Sequence, residues 1–160
     1  MPCKITDMEK TTKGEFQLIG LRLGKKTWNE AGQSGIDCGS LWQKFETGGF
    51  AHRIPDLLSN AIYAVYFDYE GDYNKPFRYF IGCKVNLGTK VPAGMDGLII
   101  PSQNYSRVMA RGEMPHCLSE CWSKIWQSAI DRAYQFDFEV YDDRSTDWDD
   151  AEVEIFISSN

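Results

Sequence analysis

The sequence contains no run of five or more lysine or arginine residues, although 17 of its 160 residues are basic. Binding to the nucleic-acid backbone depends on clustered positive charge. This chain instead carries 23 acidic residues and a net charge of −6. Nine of the acids lie between Asp137 and Glu154, a stretch with a single basic residue, Arg144. The charge pattern therefore disfavours a nucleic-acid partner and favours a cation.

Long apolar runs are also missing. The longest one, residues 61–67, is far shorter than the roughly 20 residues that cross a membrane. The N-terminus lacks the apolar stretch of a secretion signal. The five cysteines are odd in number and widely spaced, unlike the disulfide framework of a small secreted protein. We therefore predict a soluble, cytoplasmic protein with reduced cysteines and no membrane partner.

Catalytic and metal-binding motifs are absent from the sequence as well. The chain has two histidines, His52 and His116, and no glycine-rich phosphate-binding loop. His116 stands beside Cys117 and one helical turn before Cys121, but no second pair of metal ligands accompanies them. The acidic residues 142–150 lack the spacing and the glycine of an EF-hand. We expect no metal, no cofactor and no catalytic residues.

A β-α-β-β pattern of strand and helix signals occurs twice along the chain. Tyrosine, phenylalanine and β-branched residues alternate in the strands, and apolar residues recur at helical spacing between them. The predicted strands are residues 14–24, 61–69, 77–85, 105–112, 134–142 and 152–158, and the helices begin near Asp37 and at Pro115. This pattern predicts one α+β domain over residues 1–160, with an antiparallel sheet and two helices. Residues 1–12 form a polar N-terminal segment that is irregular or adds a strand.

One acidic residue stands out in the predicted strand 134–142. Alternation places Phe136, Phe138 and Val140 on one face, which we expect to meet the helices, and Glu139 on the other face beside Tyr141. The corresponding residues of the first repeat are Ala64 and Tyr66. Glu139 is then either a solvated carboxylate or, if the sheet encloses it, an anionic floor with aromatic walls. Such a floor attracts organic cations through its charge and through cation–π contacts.

The same alternation selects aromatic residues for the walls. In the last strand, Val153, Ile155 and Ile157 are predicted to face the helices, which leaves Phe156 on the opposite face. In the first hairpin, Tyr79 and Ile81 are predicted to lie in the core, which leaves Phe80 on the opposite face. The helices add Trp42 and Trp126, for which core packing is the competing interpretation. The predicted ligand-binding residues are Glu139, Tyr66, Phe80, Tyr141, Phe156, Trp126 and Trp42.

Segments spread over residues 14–157 share their order and spacing with a known family. They are residues 61–73 and 79–82, Asn-Tyr-Ser-Arg-Val-Met-Ala-Arg-Gly at 104–112, Trp-Ser-Lys-Ile-Trp at 122–126, Phe-Glu-Val-Tyr at 138–141 and Glu-Val-Glu-Ile-Phe-Ile at 152–157. The chain resembles the GyrI-like effector-binding domain of AraC-type and multidrug-sensing transcription regulators. Within that family it looks like the stand-alone drug-binding modules encoded by integron gene cassettes.

The resemblance implies a curved antiparallel sheet, two helices and a central groove that binds lipophilic, often cationic, small molecules. It places the acidic anchor of the family on Glu139. About a dozen residues precede the first strand, so we expect no helix-turn-helix, no direct DNA binding and a separate transcription regulator as a partner. Two alternatives stay open: a hydrolase that uses Glu139 and a neighbouring tyrosine as acid and base, and a protein-binding module.

Overall fold

The computed structural model describes residues 8–160, which form eight strands and two α-helices. The strands are β1 (Glu9–Lys13), β2 (Phe16–Arg22), β3 (Leu57–Phe67), β4 (Arg78–Val85), β5 (Asp96–Ile100), β6 (Gln103–Gly112), β7 (Asp137–Tyr141) and β8 (Ala151–Ser158). The helices are α1 (Gln33–Thr47) and α2 (His116–Trp126). Strand β1 shows that the polar N-terminal segment adds a strand over residues 9–13, whereas residues 1–7 lie outside the described part.

All eight strands form one antiparallel sheet in the order β1-β6-β8-β7-β3-β4-β2-β5. Strands β3 and β7 are neighbours at its centre. From this centre the first repeat continues as β4 and β2, and the second continues as β8 and β6. The two β-α-β-β units therefore build the two halves of a single sheet, and the predicted α+β class with two helices is confirmed.

The sheet is strongly curved. The rings of Phe16 on β2 and Phe138 on β7 lie 5.6 Å apart between centroids, although a flat sheet would hold these strands about 14 Å apart. Gly20 and Gly82 pair on the same face, and a Cβ atom at Gly20 would lie 2.5 Å from the Cα atom of Gly82. Because neither residue has a side chain, the two strands can approach on the inside of the curve. This face is therefore concave.

The two helices cover the opposite, convex face of the sheet. Helix α2 packs Cys117, Cys121, Trp122 and Ile125 against residues of β6 and β8 that include Ile155. Helix α1 packs Leu41 and Phe45 against residues of β2 and β4. Val153, Ile155 and Ile157 lie in the cluster of α2, which confirms that they face a helix.

The predicted orientation of β7 is wrong. Glu139 pairs with Ala64 and Ile155, which share the helix-covered face, whereas Phe138 pairs with Phe156 on the concave face. The physical reason is that both faces of β7 are buried, one under the helices and one inside the curve. Apolar residues on this strand therefore do not identify the helix side, and the pairing register does.

Several predicted boundaries also differ from the observed ones. The apolar spacing after Pro115 predicts a helix that reaches Ala129, whereas α2 ends at Trp126. Tyr134 has φ of 53°, a left-handed backbone that no strand adopts, and β7 accordingly begins only at Asp137. Strand β5 follows a glycine-containing loop and was not predicted. The predicted elements shift only at their ends and β5 is added between the repeats, so the predicted order of the repeats holds.

The cysteines are in two states. Cys38, Cys83 and Cys117 are free thiols, as predicted. Cys121 is disulfide-bonded, which corrects the prediction for that residue, and Cys3 lies outside the described residues. Among residues 8–160, no group of three or more His, Cys, Asp or Glu side chains has the arrangement of a metal site. No helix in this part of the chain is long and apolar enough to cross a bilayer.

Candidate functional site

Glu139 lies in the middle of β7 under the two helices, with 1% of its surface exposed. Its Oε2 atom accepts hydrogen bonds from the Tyr66 hydroxyl at 2.8 Å and from the Trp122 indole nitrogen at 2.7 Å. Its Oε1 atom accepts a hydrogen bond from the Tyr141 hydroxyl at 2.6 Å. The donors come from β3, α2 and β7, so three elements fix the orientation of one carboxylate.

The three groups that donate to this carboxylate are neutral. Burial raises the pKa of Glu139, and the three hydrogen bonds counteract this rise in part. Burial also raises the pKa values of Tyr66, Tyr79 and Tyr141 well above the ordinary tyrosine value, so these hydroxyls stay protonated at neutral pH. Among the described residues, no ion pair includes Glu139. When ionised, it is a buried negative charge without a counter-ion among residues 8–160.

Glu139 borders two cavities between the helices. The wider cavity has a volume of about 1070 Å³ and the narrower one about 390 Å³. Both are lined by Glu139, Tyr66 and the Cys38 thiol. Volumes of several hundred Å³ accommodate drug-sized molecules. Together the two cavities form a groove with the carboxylate at its floor.

Aromatic side chains form much of the groove wall. Trp42 on α1 lines the wider cavity, donates its indole N–H to the Tyr79 hydroxyl at 2.8 Å and lies edge-on to Tyr141, with ring centroids 4.9 Å apart. Trp126 at the end of α2 lines the narrower cavity and stacks on Tyr73 at 5.1 Å. Rings held by hydrogen bonds and stacking present fixed apolar faces to the groove.

The structure brings together five of the seven residues predicted for the site and separates two. The five that line the groove are Glu139, Tyr66, Tyr141, Trp42 and Trp126. Phe80 and Phe156 lie buried on the concave face and line neither cavity. Phe80 pairs with Val65 and Phe156 pairs with Phe138, so both alternate with the residues that share the face of Glu139. Their assignment to the wall is therefore corrected.

Sequence reasoning missed other residues of the groove. Trp122 was assigned to the apolar stripe of α2, although an indole N–H that is buried needs an acceptor such as Glu139. Strand alternation predicted Tyr79 in the core, whereas its hydroxyl accepts from Trp42 and it lines the wider cavity. Trp148 is 58% exposed and lines the wider cavity. A tryptophan inside the acidic segment 142–150 was the available signal for that position.

Acidic side chains line the wider cavity in addition to Glu139. They are Glu46, Asp142, Asp143 and Glu154. Arg144 pairs with both Asp142 and Glu154. No lysine, arginine or histidine appears among the described residues that line this cavity. The wider cavity is therefore anionic on balance.

The fold and the groove define a small-molecule binding module of the effector-binding type. The sequence profile of integron-associated effector binding proteins (Cass2) matches residues 11–158, and the chain belongs to this family. The resemblance to regulator effector-binding domains is confirmed, as is the narrower one to integron cassette proteins.

Solved structures with the same fold extend over nearly the whole chain. The integron cassette protein VCH_CASS2 of Vibrio cholerae is 25% identical, with a TM-score of 0.71 over 96% of this chain and 95% of that one. SAV2435 bound to tetraphenylphosphonium is 18% identical, with a TM-score of 0.75 over 96% and 94%. The C-terminal domain of EcmrR is 16% identical, with a TM-score of 0.66 over 100% and 99%. No curated protein sequence matches the chain.

Proposed function

We propose that the groove binds lipophilic organic cations and that Glu139 is their charge partner. The observation that carries this proposal is the buried carboxylate, which has three neutral hydrogen-bond donors and no counter-ion among residues 8–160. A buried charge without an opposite charge is costly. A ligand cation supplies that charge, and the surrounding rings supply cation–π and apolar contacts.

Two further observations support this ligand class. The described lining of the wider cavity contains acids and no basic side chain, so the cavity disfavours anions. SAV2435, which has the same fold, is bound to tetraphenylphosphonium, a cation whose charge is surrounded by four phenyl rings. The expected transcription-regulator partner stays a prediction.

The proposal is tested with two probes of one shape and opposite charge, tetraphenylphosphonium and tetraphenylborate. We expect the cation to bind with a dissociation constant of about 1–10 μM, which corresponds to roughly 7–8 kcal/mol, and the anion not to bind measurably. Titration calorimetry and quenching of tryptophan fluorescence report both. Equal affinities would show that the groove selects apolar surface alone, and no binding of either probe would overturn the proposal.

The role of Glu139 is tested by Glu139→Gln, which preserves the shape and removes the charge. The amide oxygen can accept from Tyr66 and Trp122, and the amide NH2 can donate to the Tyr141 hydroxyl once that hydroxyl turns to accept. Glu46→Gln is the matched control, because Glu46 lines the wider cavity from an exposed position on α1. We expect a strong loss of affinity for tetraphenylphosphonium in Glu139→Gln and little or no loss in Glu46→Gln. Equal weakening by both would assign the effect to the general field of the groove.

The same samples test the two alternative functions. A hydrolase would release 4-nitrophenol from 4-nitrophenyl acetate and would lose this turnover in Glu139→Gln. A protein-binding module would form a stable complex without any small molecule. Recovery of the cation unchanged, together with unaltered background hydrolysis, is the result expected for a binding module.

A further inference from the structure

Arg132 is a buried charged residue that the proposed cation site does not use. It belongs to the segment of the chain that connects α2 to β7. Its side chain is 6% exposed, and it lines the narrower cavity. Its Nη2 atom donates to the Oδ2 atom of the fully buried Asp137 at 2.7 Å. Its Nε and Nη1 atoms have no hydrogen-bond partner. Among the described residues, only the Tyr105 hydroxyl is also a buried side-chain group without a partner, and it lines neither cavity.

Aromatic rings surround the guanidinium but do not satisfy its donors. Its central carbon lies 4.2 Å from the ring centroid of Tyr134, 5.8 Å from that of Tyr69 and 6.0 Å from that of Trp122. Such contacts stabilise a cation, whereas N–H groups directed at rings form only weak hydrogen bonds. A buried donor without an acceptor is a cost that a ligand oxygen would remove.

The ion pair with Asp137 does not explain why this residue is an arginine. Asp137 also accepts hydrogen bonds from the Tyr69 hydroxyl and from the backbone and hydroxyl of Ser158. A lysine would supply the same positive charge through a single nitrogen. The guanidinium adds donors in fixed directions, and in this structure those additional donors are the ones without partners.

We propose that the narrower cavity is an acceptor subsite in which Arg132 donates a hydrogen bond to a neutral oxygen of the bound cation. This inference rests on the proposed function, because it adds a second recognised group to the same ligand. Arg132 and Glu139 both line the narrower cavity, so one molecule reaches both. The oxygen is neutral, as in a ketone, amide or ester, because Asp137 already balances Arg132 and an anion would face Glu139. The preferred ligands are lipophilic cations that carry a carbonyl group.

The test uses two phosphonium probes that differ at one ring position. They are (4-acetylphenyl)triphenylphosphonium and (4-isopropylphenyl)triphenylphosphonium, which match in shape and charge. We expect the acetyl probe to bind the wild-type chain about tenfold more tightly, the gain typical of a hydrogen bond to a charged donor. Equal dissociation constants would overturn the acceptor subsite. Failure of both probes to bind would instead overturn the proposed function.

The source of the preference is tested with Arg132→Lys, which retains the charge opposite Asp137 and removes Nε and Nη1. We expect the tenfold ratio to fall to near one, with most of the lost affinity in the acetyl probe. Arg78→Lys, at a more exposed pair with Asp68, is the control and should retain the ratio. Equal weakening of both probes by Arg132→Lys would assign Arg132 a structural role and overturn the proposal.

A spectroscopic readout needs no variant. The carbonyl stretch of the acetyl probe bound to the wild-type chain should lie at a lower frequency than that of the probe in an apolar solvent, because hydrogen bonding weakens the C=O bond. An infrared band at the frequency of the probe in an apolar solvent would overturn the proposal even if Arg132→Lys does not fold.

Discussion

The two repeats meet at the centre of the sheet, where they are alike in their tyrosines and different in one residue. Ala64 and Glu139 occupy corresponding positions and pair directly across β3 and β7. Two residues further along each strand stand Tyr66 and Tyr141, and both hydroxyls donate to the single carboxylate. Two carboxylates directly opposite each other would repel. The comparison teaches that the duplicated scaffold supplies paired donors and that the difference between the repeats supplies the charge.

The two helices also differ, in the role of one tryptophan on each. Trp122 on α2 donates to Glu139 itself, whereas Trp42 on α1 donates to the Tyr79 hydroxyl. Trp122 lines the narrower cavity and Trp42 the wider one. The same residue type therefore fixes the carboxylate in one half and forms a wall in the other.

The largest effect is expected when the repeats are made alike by Glu139→Ala. Loss of the charge should weaken the binding of tetraphenylphosphonium by about 1–3 kcal/mol, which raises its dissociation constant roughly 5- to 150-fold. Unlike Glu139→Gln, this substitution leaves Tyr66, Trp122 and Tyr141 without their acceptor, so the free energy of unfolding should fall by about 1–3 kcal/mol. Calorimetry and urea denaturation measure the two effects. An alanine variant as stable as the glutamine variant would show that the three hydrogen bonds contribute little.

The charge difference between the repeats should also depend on pH. Because burial raises the pKa of Glu139, the carboxylate takes up a proton above the ordinary glutamate range, and affinity for the cation should fall as the pH is lowered through that pKa. The empty protein responds in the opposite sense. The stability that Glu139 contributes is full below its unfolded pKa and is lost as the pH rises through its folded pKa.

Both pH effects are measured as differences between the wild type and Glu139→Gln, since Asp142 and Glu154, whose pKa values are lowered, add stability changes of the opposite sign. We expect the cation affinity of the variant to be flat over this range. A wild-type affinity that is equally flat would contradict the assignment of the charge to Glu139.

A smaller effect is expected from removing the paired donors one at a time. Tyr66→Phe and Tyr141→Phe each delete one hydroxyl that donates to the carboxylate, and each should lower the free energy of unfolding by about 1–2 kcal/mol. Equal losses would mean that the two repeats hold the carboxylate equally. A loss of unfolding free energy in only one variant would show that Tyr66 and Tyr141 contribute unequally to stability although they occupy corresponding positions. Urea denaturation of both variants and of the double variant decides between these outcomes.

The smallest effect on binding is expected on the concave face. Phe156 stacks on Phe138 with ring centroids 4.9 Å apart, and Phe156→Leu should lower the free energy of unfolding by about 1 kcal/mol. Its affinity for tetraphenylphosphonium should equal that of the wild type, because Phe156 lines neither cavity. Weakened binding at unchanged stability would restore Phe156 to the site.

Much of the fold and the centre of the site were predictable from the sequence. The doubled β-α-β-β pattern predicted the two halves of the sheet, and alternation found Glu139 and Tyr141 on one face. The face of β7 that meets the helices depends on the pairing register with β3 and β8, which the sequence pattern does not reveal. Because both faces of β7 are buried, the sequence does not reveal which face meets the helices, and Glu139 was predicted on the wrong one. Phe80 and Phe156 lie opposite the helices as predicted, but they do not share that face with Glu139.

Arg132 shows a second limit of sequence reasoning. It follows α2 in an irregular segment, where neither helical nor strand periodicity predicts the direction of a side chain. Its burial depends on the ion pair with Asp137, and strand alternation predicts only that Asp137 shares a face with Glu139. A charged pair that is buried through tertiary packing leaves no pattern in the local sequence.

The absence of an ion pair at Glu139 among the described residues has a consequence for the rates of binding. A cation entering the groove meets no protein counter-ion that must first be displaced, and the carboxylate is already held by Tyr66, Trp122 and Tyr141. Association then requires little rearrangement, and differences among ligands are expressed mainly in how slowly they leave. Compounds of very different shape should therefore reach the groove at similar rates and differ in residence time.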